Sequence, residues 1–146
     1  MKANAAFAPL EGALGTWSVT GSHPLLPGRT VRGRAVFERI EGGAFLRMHS
    51  KMEDAEFPEG VAIFGTDTDD GSCTMLYFDD RGVARKYDVS FHADGFMWSR
   101  DAPQFAQSFR VTIASDGRTM ESEGRMKRDG GAWEPDLRLS YARVES

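Results

Sequence analysis

The residues with chemical capacity in this chain are few, and they sit among apolar ones. Tyr87, Arg100, Gln107, Ser122 and Tyr141 fall on strand rows that are otherwise hydrophobic. In a pocket, a handful of such groups orients a ligand whose body is buried by its apolar neighbours, and a Tyr, Arg or His in that position can also move a proton. The histidines are His23, His49 and His92. His49 and His92 alternate onto polar faces, while His23 lies in the loop Ser-His-Pro-Leu-Leu-Pro, which could fold over a cavity mouth. Cys73 follows Asp69-Asp70-Gly71-Ser72 with no histidine near it in sequence. A reactive thiol needs a neighbour that lowers its pKa, so Cys73 reads as a small buried hydrophobe. The acidic loop Asp67–Ser72 lacks the alternating acids, central glycine and closing glutamate of a helix-loop-helix calcium site, so no metal is expected. No Ser-His-Asp order, Cys-His pair or phosphate-cradling glycine loop is present, and Glu121 and Glu123 read as solvated charge. No cofactor is expected from these residues.

The elements that must position these groups are strands. From Met75 to Val111 the chain is dense in aromatics, and Asp79-Asp80-Arg81-Gly82 and Ala93-Asp94-Gly95 are hairpin turn signals. Between them Arg85, Tyr87, Val89 and Phe91 share one face; Phe96, Trp98 and Arg100 share the next, then Phe105, Gln107, Phe109, Val111 and Ile113. The flanking chain reads the same way. Strands are expected at Thr16–Gly21, Thr30–Ile40, Phe45–Glu53, Val61–Thr66, from Cys73, at Thr119–Lys127 and at Trp133–Val144. Their inward rows hold Trp17; Val31, Gly33, Ala35 and Phe37; Leu46, Met48, Ser50 and Met52; Met120, Ser122, Gly124 and Met126; and Leu137, Leu139 and Tyr141. Gly33 and Ala35 are small enough to leave room on their face. Phe57, an apolar residue in the loop Asp54–Gly60, suits a cap on a mouth. Near the start, Phe7, Leu10 and Leu14 are spaced for a helical turn or two that plugs one end. The count is about ten short strands in one all-β unit over residues 1–146, and an up-and-down antiparallel barrel closes so many strands without leaving edges.

Composition narrows the function classes. Hydrophobic residues make up 40% of the 146 and charged residues 27%, with 16 glycines to serve turns. A net charge of -4, with Lys and Arg scattered among acids, gives no phosphate-binding face, so nucleic acid is not an expected partner. The single cysteine cannot form an internal disulfide. The Ala-rich N-terminus lacks an apolar signal core and no run reaches membrane-spanning length, so a cytoplasmic protein without a membrane partner is expected.

Leu-Gly-Thr-Trp at 14–17, Gly42 to Leu46, the block Met75 to Ser90, Trp98 to Phe109 and the turn Asp129 to Asp136 together resemble, in order and over nearly the whole chain, the DUF1579-like proteins of the calycin type. The resemblance implies a lipocalin-like closed barrel with a lumen and no particular chemistry. The Gly15–Trp17 start is also distantly similar to nitrobindin-type haem barrels, which ligate iron through a histidine on the last strands. Here Leu137 to Ser146 contains no histidine, so haem ligation of that kind has no ligand. If closure turns the apolar rows inward, the lumen candidates are Phe37, Met48, Tyr87, Phe91, Trp98, Arg100, Gln107, Phe109, Ser122, Leu139 and Tyr141. The expected partner is a small hydrophobic or aromatic molecule, and a homodimer is compatible with this reading. The alternative is a cofactor-free cyclase, isomerase or hydratase acting on a small hydrophobic substrate in the same lumen.

Overall fold

The computed structural model describes residues 2–144. Among the described residues ten antiparallel strands follow one another around a closed barrel, each hydrogen-bonded to its sequence neighbours, with the last strand pairing the first. They are β1 (Gly15–Ser22), β2 (Val31–Ile40), β3 (Phe45–Met52), β4 (Gly60–Thr66), β5 (Cys73–Asp79), β6 (Ala84–His92), β7 (Gly95–Arg100), β8 (Phe105–Ile113), β9 (Thr119–Arg128) and β10 (Glu134–Arg143). Closure pairs every strand on both sides and leaves no free edge, which is what the alternation of so many short strands required.

The lumen has a packed half and an open half. A 3₁₀ helix, Ala5–Ala13, covers one end. With three residues per turn it aligns Phe7, Leu10 and Ala13, all buried, so Ala13 takes the inward place that α-helical spacing assigned to Leu14. Asn4 ties this helix down: its side chain accepts from the Ala6 N–H at 3.0 Å and donates to Thr66 Oγ1 at 2.8 Å. Beneath the helix Trp17, Val19, Phe64, Phe96, Val111 and Met120 are fully buried. Trp17 Nε1 donates to the Ala13 carbonyl at 2.8 Å, and the Arg143 guanidinium lies 4.2 Å from the Trp17 ring centroid. Arg143 also donates to three carbonyls, those of Leu14 at 2.6 Å, Gly12 at 2.9 Å and Gly117 at 3.0 Å. One cation thereby satisfies backbone acceptors at the end of the helix, where intrahelical partners run out.

Two details of the wall limit and shape the lumen. The room left by Gly33 is already taken, because a Cβ there would lie 2.7 Å from Met52 Sδ and 2.3 Å from the Lys51 carbonyl oxygen. In β10 the register shifts: Pro135 pairs with Arg125 and Arg138 with Glu123, so Asp136 and Leu137 together oppose Gly124. This is a β-bulge, and it reverses the in-out parity of the strand before it. On the outer surface Leu76 and Phe78 of β5 are 45% and 46% exposed, beside Val61 and Ile63 of β4. No helix among the described residues is long and apolar enough to cross a membrane.

Candidate functional site

The open half of the barrel encloses a cavity of about 670 Å³. Its middle is an apolar belt that includes Met48, Met75, Trp98, Phe109 and Leu139. Trp98 joins the belt to the packed half: its ring lies 5.8 Å from Phe96 and 6.4 Å from Phe64 on one side, and 5.6 Å from Phe109 on the other. These separations are those of favourable aromatic pairs, so the belt is stiff on this side, while the Met side chains opposite are soft.

A connected set of polar groups stands nearer the mouth. The Tyr87 hydroxyl donates to Gln107 Oε1 at 2.6 Å, and Gln107 Nε2 donates to Asp136 Oδ2 at 2.8 Å. Asp136 is only 6% exposed, and its Oδ1 also accepts from the Leu137 N–H at 2.7 Å and meets His23 Nε2 at 3.1 Å. The Leu25 N–H donates to His23 Nδ1 at 3.1 Å, which leaves the proton on Nε2, directed at Asp136. Both nitrogens of His23 are thus occupied, and the β1–β2 loop is fastened over the mouth by a side chain that reaches a buried carboxylate. Arg29 of the same loop bridges to Asp54 and Glu56 of the β3–β4 loop, where Phe57 caps the cavity.

The other side of the mouth is formed by Tyr77, Arg81 and Arg85. Tyr77 donates to Asp79 Oδ2 at 2.8 Å, and Arg81 holds the same carboxylate with its own fork at 2.7 and 3.3 Å. The Arg81 hydrogen bond holds the Asp79 carboxyl down at about 2, with the Tyr77 bond adding to the effect. Burial pushes the Tyr77, Tyr87 and Tyr141 phenols above their ordinary value, so all three remain protonated donors at neutral pH. Arg85 stacks over Phe105 at 4.9 Å from the ring centroid.

Of the eleven lumen candidates, Met48, Tyr87, Trp98, Gln107, Phe109, Ser122, Leu139 and Tyr141 line this one cavity. Phe37 and Phe91 do not: Phe37 is buried in the core, and Phe91 packs against it toward the plugged end. Arg100 also lies outside the wall, at the last position of β7, where its charge is close enough to act on Tyr87. His49 faces outward and meets Glu59 at 3.0 Å, as its alternation required. His92 sits at the far end, 3.5 Å from Asp94. Burial pushes the Cys73 thiol up to about 11, consistent with a packing role. In the acidic loop, Asp67 Oδ1 accepts from the Asp69 N–H at 2.7 Å and Asp70 Oδ1 from the Ser72 N–H at 2.8 Å, so these carboxylates shape the turn. Among the described residues no group of three or more His, Cys, Asp or Glu side chains is arranged to hold a metal ion.

The sequence reading missed Asp136, Tyr77, Arg81 and Arg85. Alternation through Cys73, Met75, Tyr77 and Asp79 carried the signal for Tyr77, and Arg85 already stood on the row of Tyr87. Asp136 carried no such signal, since unbroken alternation with Leu137 turns it outward.

No protein-family model matches the chain, and no curated protein sequence does. Solved structures do. Rv2717c from M. tuberculosis superposes with a TM-score of 0.66 at 16% identity, over 98% of this chain and 99% of that one. The S-type phycobiliprotein lyase CPES from Guillardia theta superposes with a TM-score of 0.60 at 11% identity, over 93% and 90%. The shared fold is a closed antiparallel β-barrel. At these identities the likeness extends to architecture alone.

Proposed function

We propose that this chain binds a small, largely apolar molecule in the barrel lumen. The observation that carries the reading is the cavity of about 670 Å³, open at one end only, with an apolar belt below a ring of fixed polar groups. That volume falls within the roughly 300–1,000 Å³ usual for ligand sites, and a barrel serving only as a core would be filled by its own side chains. The motif order that resembles DUF1579-like barrels supports the same reading, as does the calycin-like architecture shared with the two solved structures. A haem of the nitrobindin type is not supported: the described part of the last strand offers no histidine, and His23 has both ring nitrogens engaged.

The test is native mass spectrometry of protein purified from its own host, followed by titration with pyrene as an apolar fluorescent probe. The expected results are a bound mass removed by denaturation, and saturable binding of pyrene that Leu139→Trp, which fills the belt, abolishes without lowering the melting temperature. Absence of both a bound mass and saturable binding refutes the proposal.

A specific observation favours a second reading, the cofactor-free enzyme. Tyr87 is a buried phenol fixed by its hydrogen bond to Gln107 Oε1, which positions its oxygen against the lumen as an acceptor and lets it pass its proton to a substrate only by exchanging that bond. That reading requires Tyr87→Phe to abolish turnover while leaving the melting temperature nearly unchanged. Equal loss of stability and activity assigns Tyr87 to packing instead.

A further inference from the structure

The polar groups of the mouth are partnered with one another, whereas two hydroxyls deeper in the cavity wall have no partner among the described residues. Ser122 is 3% exposed and its Oγ makes no hydrogen bond. Tyr141 is 6% exposed, and no hydrogen bond from the described residues engages its phenol; the shift of its pKa has burial as its whole cause. Ser122 lies early in β9 and Tyr141 late in β10, both toward the plugged end. Tyr141 pairs with Met120 and Leu139 with Ser122, so the two side chains are diagonal neighbours on the inner face, a separation that a long side chain spans. A buried hydroxyl without a partner is destabilising; Ser122 Oγ is already in that condition, and a hydrocarbon ligand would put the Tyr141 phenol, whose oxygen still reaches the cavity, there as well.

We infer that the buried end of the lumen ligand carries a hydroxyl or carbonyl oxygen that Ser122 and Tyr141 receive, with its apolar body in the belt above. This rests on the lumen-binding reading. The protonated Tyr141 donates, and Ser122 donates or accepts, so the pair suits a phenol, an alcohol or a ketone equally. It does not suit a fatty chain that lies methyl end inward. The ligand class is therefore a compact ring or chain compound with its oxygen at the deep end.

The experiment compares 1-hydroxypyrene with pyrene, a pair that differs by one hydroxyl, on the full chain and on Ser122→Ala, Tyr141→Phe and the double variant. The expected result is a preference of the unmodified protein for 1-hydroxypyrene of about 2–10-fold. The double variant brings that preference close to one while pyrene still binds saturably. Ser122→Ala alone is expected to hold or raise the melting temperature, by up to about 4 °C, because it deletes an unpartnered polar atom. Absence of a preference overturns the inference while leaving lumen binding intact. A preference that survives the double variant overturns it by placing the ligand's hydroxyl elsewhere in the lumen. A melting temperature that falls in Ser122→Ala also overturns it, by showing that the hydroxyl is already partnered by protein or water. If neither probe binds, the lumen-binding reading fails and the inference with it.

Discussion

Asp136 is the point on which the mouth depends, and its removal tests the whole arrangement. The carboxylate is 6% exposed and accepts from Gln107 Nε2, His23 Nε2 and the Leu137 N–H. Asp136→Ala strands three donors. Each costs about 1–3 kcal/mol if it stays dry, but the cavity side admits water to Gln107 and His23, so a net loss of about 2–4 kcal/mol is expected. In a chain of this length that corresponds to a fall in melting temperature of roughly 6–14 °C. Asp136→Asn retains two acceptor lone pairs but turns an amide N–H₂ toward another donor, and should lose about half as much. A double-mutant cycle separates the carboxylate's contacts from its bulk: His23→Ala and Asp136→Ala together should cost less than the sum of the single variants by roughly 0.5–3 kcal/mol. Thermal and urea unfolding measure the parent and all four variants. Strict additivity, or an Asp136→Ala variant as stable as the parent, refutes the claim that this carboxylate fastens the β1–β2 loop.

Two further outcomes are expected. The folded-state pKa of Asp79 is depressed to about 2 by Arg81, so its contribution to stability is complete above the unfolded value of roughly 4 and disappears as the pH falls toward 2. The stability difference between the parent and Asp79→Asn should therefore shrink between about pH 4 and pH 2 in urea titrations; a difference that stays constant over that range contradicts the assignment. Gly124→Ala should destabilise by about 1–3 kcal/mol, because the added Cβ would lie 2.7 Å from both the Leu137 carbonyl oxygen and Phe109 Cε1, and the same melts check it.

Much of the barrel was legible because a strand with one dry face must alternate, and the rows through Tyr87, Trp98 and Gln107 could be read off directly. Alternation says in or out but carries no information on height along the barrel. Phe37 and Phe91 are inward as expected, yet they sit near the plugged end and belong to the packed half. Arg100 has inward parity and stands at the opposite extreme, beyond the wall. The site's central acid was illegible for a different reason. A single extra residue in β10 places Asp136 and Leu137 on the same side, and no local turn signal marks it. His23 is held by a contact 113 residues away in sequence, which no local pattern encodes.

The plug at the far end has a consequence for rates. With Phe7 and Leu10 packed over Trp17, and Arg143 gathering the carbonyls of Gly12 and Leu14, the described residues close that end of the barrel. Under the proposed lumen binding, entry and departure would share one doorway, so a ligand's residence time would follow how often the His23 and Arg29 loop lifts from its anchors. Loosening those anchors should speed loading and release together, so that exchange quickens by a larger factor than affinity falls.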